Sequence, residues 1–190
     1  MTIWNDTHIP LSYLITYRSY GTWLHGDERG SKDRLQNRYN TPKIAANSNW
    51  SKHNINQLKT EPVKLNAQQR TAAEEAIRGA CHHRKWILQA VNIRTNHIHA
   101  VVSIGRAKPE KVLNDFKAYS TRKMRQYRCW DVASSPWADK GSKRLLWNEQ
   151  SVGYACDYVN NGQGVDLPDF EDWSALKNPP ADADGFDPEF

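Results

Sequence analysis

Two histidines one residue apart, His97 and His99, stand in the run Asn96-His97-Ile98-His99-Ala100-Val101-Val102. In an extended strand successive side chains point to opposite faces. Both imidazoles would therefore leave one face of a sheet, while Ile98, Ala100 and Val102 leave the other. Their backbone separation, roughly 6–7 Å at the strand rise, lets two rings converge on one metal ion. By itself a His-x-His pair is a common pattern, equally compatible with two ordinary histidines on a half-exposed sheet. A second run, Asp157-Tyr158-Val159-Asn160-Asn161-Gly162-Gln163-Gly164, closes the ordered part of the chain. Here Tyr158 and Tyr154 are four residues apart and share a helix face, and Val152, Ala155 and Val159 can pack inward. A tyrosine on a helix is most often a packing residue. Were one of them catalytic, Tyr119 and Tyr154 would be rivals to Tyr158. Cys81-His82-His83 lacks a second half at zinc spacing and reads as helix surface. His8, His25 and His53 have no supporting context, and no phosphate-cradling glycine loop occurs.

These residues need elements to hold them. Leu11 to Tyr17 is β-branched and aromatic and predicts a strand. The stretch 26–60 is rich in Asn, Ser, Asp, Gly and Lys and reads as a polar insertion, with room for short helices. Asn66 is placed to cap a helix reaching about His83, with Ala73, Ala76, Ile77 and Ala80 on one face. The apolar runs Trp86 to Ile93 and His97 to Ile104, split by Arg94-Thr95-Asn96, predict a tight antiparallel hairpin. Pro109 opens a helix to about Tyr127. Its apolar stripe is Val112, Leu113, Phe116, Tyr119 and Met124, and its other face carries Lys111, Lys117, Arg122, Lys123 and Arg125. The stretch from Trp130 to Leu145 reads as loop, and a last helix runs from Glu149 to Gly162. The order predicts an α+β domain, an antiparallel sheet with helices on one face, over 1–164. An acidic, mostly disordered tail follows at 165–190.

The chain has 190 residues and a formal charge of +5. The segment 165–190 holds eight acids and one base, so the body carries more than the whole positive excess. A basic body fits a polyanion partner. Arg18, Arg84 and Lys85 are further phosphate-binding candidates, and Trp23, Trp50, Trp130 and Trp137 could stack on unpaired bases. Three scattered cysteines argue for a reducing compartment. With no apolar run of membrane length and no signal peptide, a cytoplasmic location is expected.

The NHIHAVV strand, the basic helix FKAYSTRKMR, the LWNE segment and the terminal YVNNGQG, in that order, resemble the insertion-sequence-200-like transposases and the related REP-associated tyrosine transposases. The N-terminal ITYRSYGTWLHGDERGS resembles a subgroup of them. The resemblance implies a ferredoxin-like fold of the HUH endonuclease type and a homodimer. It implies a metal-dependent enzyme that cuts and rejoins single-stranded DNA at hairpin-marked ends through a 5′-phosphotyrosine link. Tyr158 would be the nucleophile, and His97 and His99 ligands of Mg²⁺ or Mn²⁺. The family's third ligand is commonly a glutamine four residues after the tyrosine. Position 162 is glycine here, so the counterpart would be Gln163, five residues on. Arg18, Lys111, Lys117, Arg122, Lys123 and Arg125 would meet DNA. The alternative is a catalytically inactive regulator of the same fold that binds single-stranded or hairpin DNA.

Overall fold

A computed structural model describes residues 8–22, 24 and 46–164. Trp23, His25 and the acidic segment 165–190 lie outside the described residues. The elements are β1 (Ser12–Arg18), α1 (Ser48–Asn56), α2 (Ala67–Arg84), β2 (Ile87–Ile93), β3 (His97–Ser103), α3 (Pro109–Gln126), β4 (Ser142–Leu146) and α4 (Glu149–Asn161). The helix starts follow from local chemistry. Asn66 accepts from the Gln69 N–H at 2.8 Å while Gln69 Oε1 accepts from the Asn66 N–H at 3.0 Å, a reciprocal cap. Pro109 occupies the first turn of α3, where its missing N–H costs nothing. Asn148 caps α4 through the Ser151 N–H at 2.8 Å.

The strands form one sheet in the order β2-β3-β1-β4. Every neighbouring pair is antiparallel. Two β-α-β units therefore interlock, β1-α2-β2 around β3 and β3-α3-β4 around β1, which is the ferredoxin-like arrangement. Alternation along the two central strands divides the interior. Tyr13, Ile15 and Tyr17 of β1 and Ile98, Ala100 and Val102 of β3 pack with Ala73, Ile77, Val112, Phe116 and Met124 of α2 and α3. On the other face Leu14, Ala90 and Val101 pack with Ala155 and Val159 of α4. The two crossover helices thus share one face, as expected, and α4 covers the opposite one.

One strand escaped the sequence reading, and the polar insertion holds the kind of short helix it had room for. Strand β4 lies where a loop was expected. Its sequence, SKRLL, has three polar residues, and only Leu146 is buried, so no alternating signal exists. As an edge strand it is held by pairing with Ser12 to Thr16 of β1 rather than by burial. Helix α1 lies inside the polar insertion and buries no residue. Among the described residues no helix is long and apolar enough to cross a membrane.

The small core beneath α4 is predicted to be shallow. Val159 is fully buried, so Val159→Ala should lower unfolding free energy by about 2 kcal/mol, at ~0.8 kcal/mol per methyl removed. Phe116, also fully buried but in the larger core, should cost about 4 kcal/mol on truncation to Ala. Urea unfolding of both variants checks the ranking.

Candidate active site

On the α4 face the three central strands present residues in rows. Leu14 of β1, Val101 of β3 and Ala90 of β2 form an apolar row. One step along, Thr16, His99 and Asn92 form a polar row. One further step, Arg18 lies opposite His97. Helix α4 is seated by its apolar residues on the first row and reaches over the second. The Asn92 Nδ2 donates to Val159 O at 2.9 Å, so the polar row also grips the end of α4. That bond satisfies one of the carbonyls a helix end leaves without an internal partner.

The seating brings Tyr158 onto the histidines. Its ring centroid is 5.4 Å from that of His99 at an interplanar angle of 73°. The His97 and His99 rings are 4.7 Å apart. His99 is 3% exposed and His97 9%, while Tyr158 is half-buried. Burial, reinforced by the charges of His97, Arg18 and Arg94, holds the His99 imidazole well below its ordinary pKa of 6.5. His99 is therefore neutral at neutral pH. Thr16 Oγ1 lies 2.7 Å from His99 Nδ1. With Nδ1–H donating to that hydroxyl, the Nε2 lone pair is free to coordinate.

His97 sits between two oxygens. Its Nδ1 is 2.6 Å from Asn96 Oδ1 and its Nε2 is 3.2 Å from Gln163 Oε1. Gln163 is 4% exposed, and its Nε2 donates to Tyr158 O at 3.1 Å, which fixes its oxygen toward His97. A neutral imidazole has only one N–H. With Nδ1–H donating to Asn96 Oδ1, the Nε2 lone pair faces Gln163 Oε1, and a metal shared by Nε2 and Oε1 would bridge these two acceptors. Two imidazole nitrogens and one amide oxygen form a mixed borderline and hard donor set that suits Mn²⁺ and accommodates Mg²⁺ or Zn²⁺.

The glycine before Gln163 makes this possible. A Cβ at Gly162 would lie 2.8 Å from Tyr158 O and 2.9 Å from Cδ2 of its ring. The chain turns tightly under Tyr158 there, ends α4 and redirects Gln163 inward. The displaced spacing is thus compatible with contact to His97.

The other candidates are placed elsewhere. Tyr154 is 56% exposed and accepts from Gln150 Nε2 at 3.1 Å. Tyr119 packs against the larger core beneath α2 and α3, across the sheet from the histidines. Cys81 is buried and its thiol is pushed up to about 12 by burial, whereas His82 and His83 are exposed. Among the described residues no group of three His, Cys, Asp or Glu is placed to hold a metal. Trp137 is 5% exposed and packs edge-on against Tyr17 at 5.1 Å, so it is a core residue and not a stacking surface.

The bases of α3 also lie away from Tyr158. Lys117 Nζ donates to the carbonyls of Ala138 and Lys140, Lys111 pairs with Asp115 at 3.1 Å, and Lys123 with Glu75 at 3.6 Å. Arg125 Nη2 donates to Val132 O and Ala133 O, and Arg122 lies over the Tyr119 ring at 5.3 Å. Two clefts of about 500 Å³ and about 480 Å³ run beside this helix, the second lined by Lys117, Arg122 and Arg125. Sequence reading missed Thr16, Asn92, Arg94 and Asn96. The one available signal was Thr16 itself, a polar residue in the middle of an otherwise apolar and aromatic run.

The depressed His99 pKa has a sign that can be tested. The unfolded chain protonates this histidine near pH 6.5, the folded chain only well below it. Below about pH 6.5 the unfolded state therefore binds more protons, and stability falls with falling pH. In the presence of chelator, wild type should lose more stability than His99→Asn between neutral pH and about pH 5, measured by urea midpoints. Equal losses would contradict the burial of a neutral imidazole.

A family model described as "Transposase IS200 like" matches residues 46–155, more than half of the chain. No curated protein matches it. Among solved structures the chain is similar to the REP-associated tyrosine transposase bound to a REP hairpin, with TM-score 0.48 and 11% identity over 84% of this chain and 70% of that one. It is also similar to a protein of Deinococcus radiodurans R1 assigned as a transposase, with TM-score 0.42 and 9% identity over 87% of this chain and 100% of that one. The family match, rather than these distant likenesses, carries the classification.

Proposed function

Because the chain belongs to the IS200-like transposase family, we propose that it cleaves and rejoins single-stranded DNA at hairpin-marked ends, with Tyr158 as the nucleophile. The observation that carries this reading is the Tyr158 ring packed beside His99, over a pocket in which His97 Nε2 and Gln163 Oε1 face each other at 3.2 Å. In the proposed step Tyr158 Oη attacks phosphorus and loses its proton as the Oη–P bond forms. The P–O3′ bond breaks, and its electron pair stays on the 3′ oxygen, which takes up a proton. The 5′-phosphotyrosine link keeps the bond energy, so rejoining by a 3′-hydroxyl needs no nucleotide cofactor.

His97, His99 and Gln163 would hold a divalent metal, Mg²⁺ or Mn²⁺. Such an ion supplies Lewis-acid polarisation of a non-bridging phosphate oxygen. Thr16 and Asn96 would act as positioning residues, since each receives the Nδ1 side of one imidazole and leaves Nε2 toward the ion. The exposed Arg122 and its neighbours on α3 would contact DNA flanking the cut rather than the scissile phosphate. A cytoplasmic homodimer completes the proposal, supported by exposed Leu145 on the free edge strand β4 and exposed Trp147 just after it. The inactive-regulator alternative drew its support from the displaced glutamine. Contact between Gln163 and His97 at 3.2 Å favours the enzyme reading over it.

A denaturing gel of labelled single strands from the flanks of the gene, incubated with Mn²⁺ or Mg²⁺, tests the reading. Wild type should give a covalent protein–DNA adduct that disappears with chelator and is absent in Tyr158→Phe. Cleavage that survives in the variant would transfer the chemistry to water or another tyrosine, and binding without cleavage on every strand would favour the regulator. In a separate calorimetric titration, Thr16→Val should weaken Mn²⁺ binding about 10- to 100-fold, and Thr16→Ser should restore it.

A further inference from the structure

The third row across the sheet is charged, and the metal and tyrosine chemistry leaves it unused. Arg18 follows Thr16 by two residues on β1 and lies opposite His97. Period two puts its side chain on the face from which Thr16 reaches His99. On the far side of β3, Arg94 closes the β2–β3 hairpin by donating its backbone N–H to His97 O at 2.9 Å. It follows Asn92 by two residues, and the Asn92 side chain reaches α4. Arg94 therefore leaves the sheet on the same face as His97. Its side chain is 6% exposed, an uncommon degree of burial for an arginine. His97 is thus flanked on both sides by guanidinium-bearing residues, each one strand away, about 4.8 Å in backbone spacing. The charges of both also act on His99, after burial and His97 itself.

We propose that Arg18 and Arg94 form a clamp for the scissile phosphate, on either side of the His97 row and open toward Tyr158. The inference rests on the transposase reading and deepens it, since it names the groups that receive the phosphodiester. Attack by a phenolate raises the negative charge on both non-bridging oxygens. A metal held by His97, His99 and Gln163 would offset part of that charge, and a fixed cation beside the His97 row would offset more. A guanidinium stays charged throughout and offers forked N–H donors matched to phosphate oxygens. Such preorganised charge acts where charge develops in the transition state. The arginines neither gain nor lose a proton in the step.

The test separates phosphate contact from fold and from activity. A fluorescein-labelled oligothymidylate is titrated with wild type, Arg18→Gln, Arg94→Gln and Arg94→Lys over a range of salt concentrations. Each Gln variant should reduce the slope of log Kd against log salt by about 0.7, the value for one phosphate contact on a single strand. Arg94→Lys should keep the slope. Mn²⁺ affinity should not fall in the Gln variants, because removing nearby positive charge favours a cation. On a strand that wild type cleaves, the rate of adduct formation in Arg94→Gln should fall by about 100-fold or more. Unchanged slopes in Arg18→Gln and Arg94→Gln would overturn the clamp, and so would a parallel loss of Mn²⁺ affinity, which marks a structural role. If Arg94→Gln gives no cooperative melt, Arg18→Gln and Arg94→Lys decide the matter. If wild type forms no adduct on any strand the transposase reading fails, while the salt slopes still judge the anion site.

Discussion

The seam between α4 and the sheet is the contact on which the site depends. Ala155 and Val159 on the helix meet Leu14, Val101 and Ala90 on three adjacent strands. This small apolar patch fixes both the height and the rotation of the helix. Tyr158, next to Val159, is carried onto His99 as a consequence. The burial that seats the helix also dehydrates His99, so packing and electrostatics have one origin. The larger core on the opposite face, between α2, α3 and the sheet, supplies a rigid platform and none of the candidate site residues His97, His99, Tyr158 and Gln163.

Much of this was legible because a strand has period two. His97-Ile98-His99 assigns its imidazoles and its apolar residues to opposite faces without any knowledge of the partners. The cap at Asn66 and the glycine stop at Gly162 mark helix ends by equally local rules. What stayed hidden depends on neighbours across the sheet. Thr16 is distant from His99 in sequence, and Asn92, though only across the hairpin, is set opposite His99 by the register of β2 with β3. Arg94 read as a turn residue, and only the closed hairpin reveals it as part of a row. Strand β4 was invisible because pairing with β1, not burial of an alternating face, makes it a strand.

The basic helix α3 shows a different limit: its charge pattern was legible, but the side of the sheet that it occupies was not. Its lysines and arginines do line one side, and two clefts run beside it. Yet Lys117 and Arg125 use their donors to hold backbone carbonyls of the segment 132–140. Charge patterning along a helix records which residues avoid the core. It does not record which side of the sheet that helix occupies. In this fold the two crossover helices share a face and the tyrosine helix takes the other, so the most conspicuous basic stripe and the reactive site are back to back.

The Gly162-Gln163 pair shows how a glutamine five residues after Tyr158 still reaches His97. Along an ideal helix, residues four apart lie nearly above one another, while a fifth residue is rotated away by more than a further quarter turn. Gln163 would then miss a target that lies beneath Tyr158. The helix does not continue, however. Gly162 caps it, and its N–H donates to Tyr158 O at 2.9 Å. The Gln163 amide donates to the same carbonyl at 3.1 Å. One carbonyl thus anchors both residues after the tyrosine and turns Oε1 back toward His97. A side chain at 162 would collide with the Tyr158 ring that it had to pass. The absence of a side chain at 162 and the inward turn of Gln163 are therefore one local geometry.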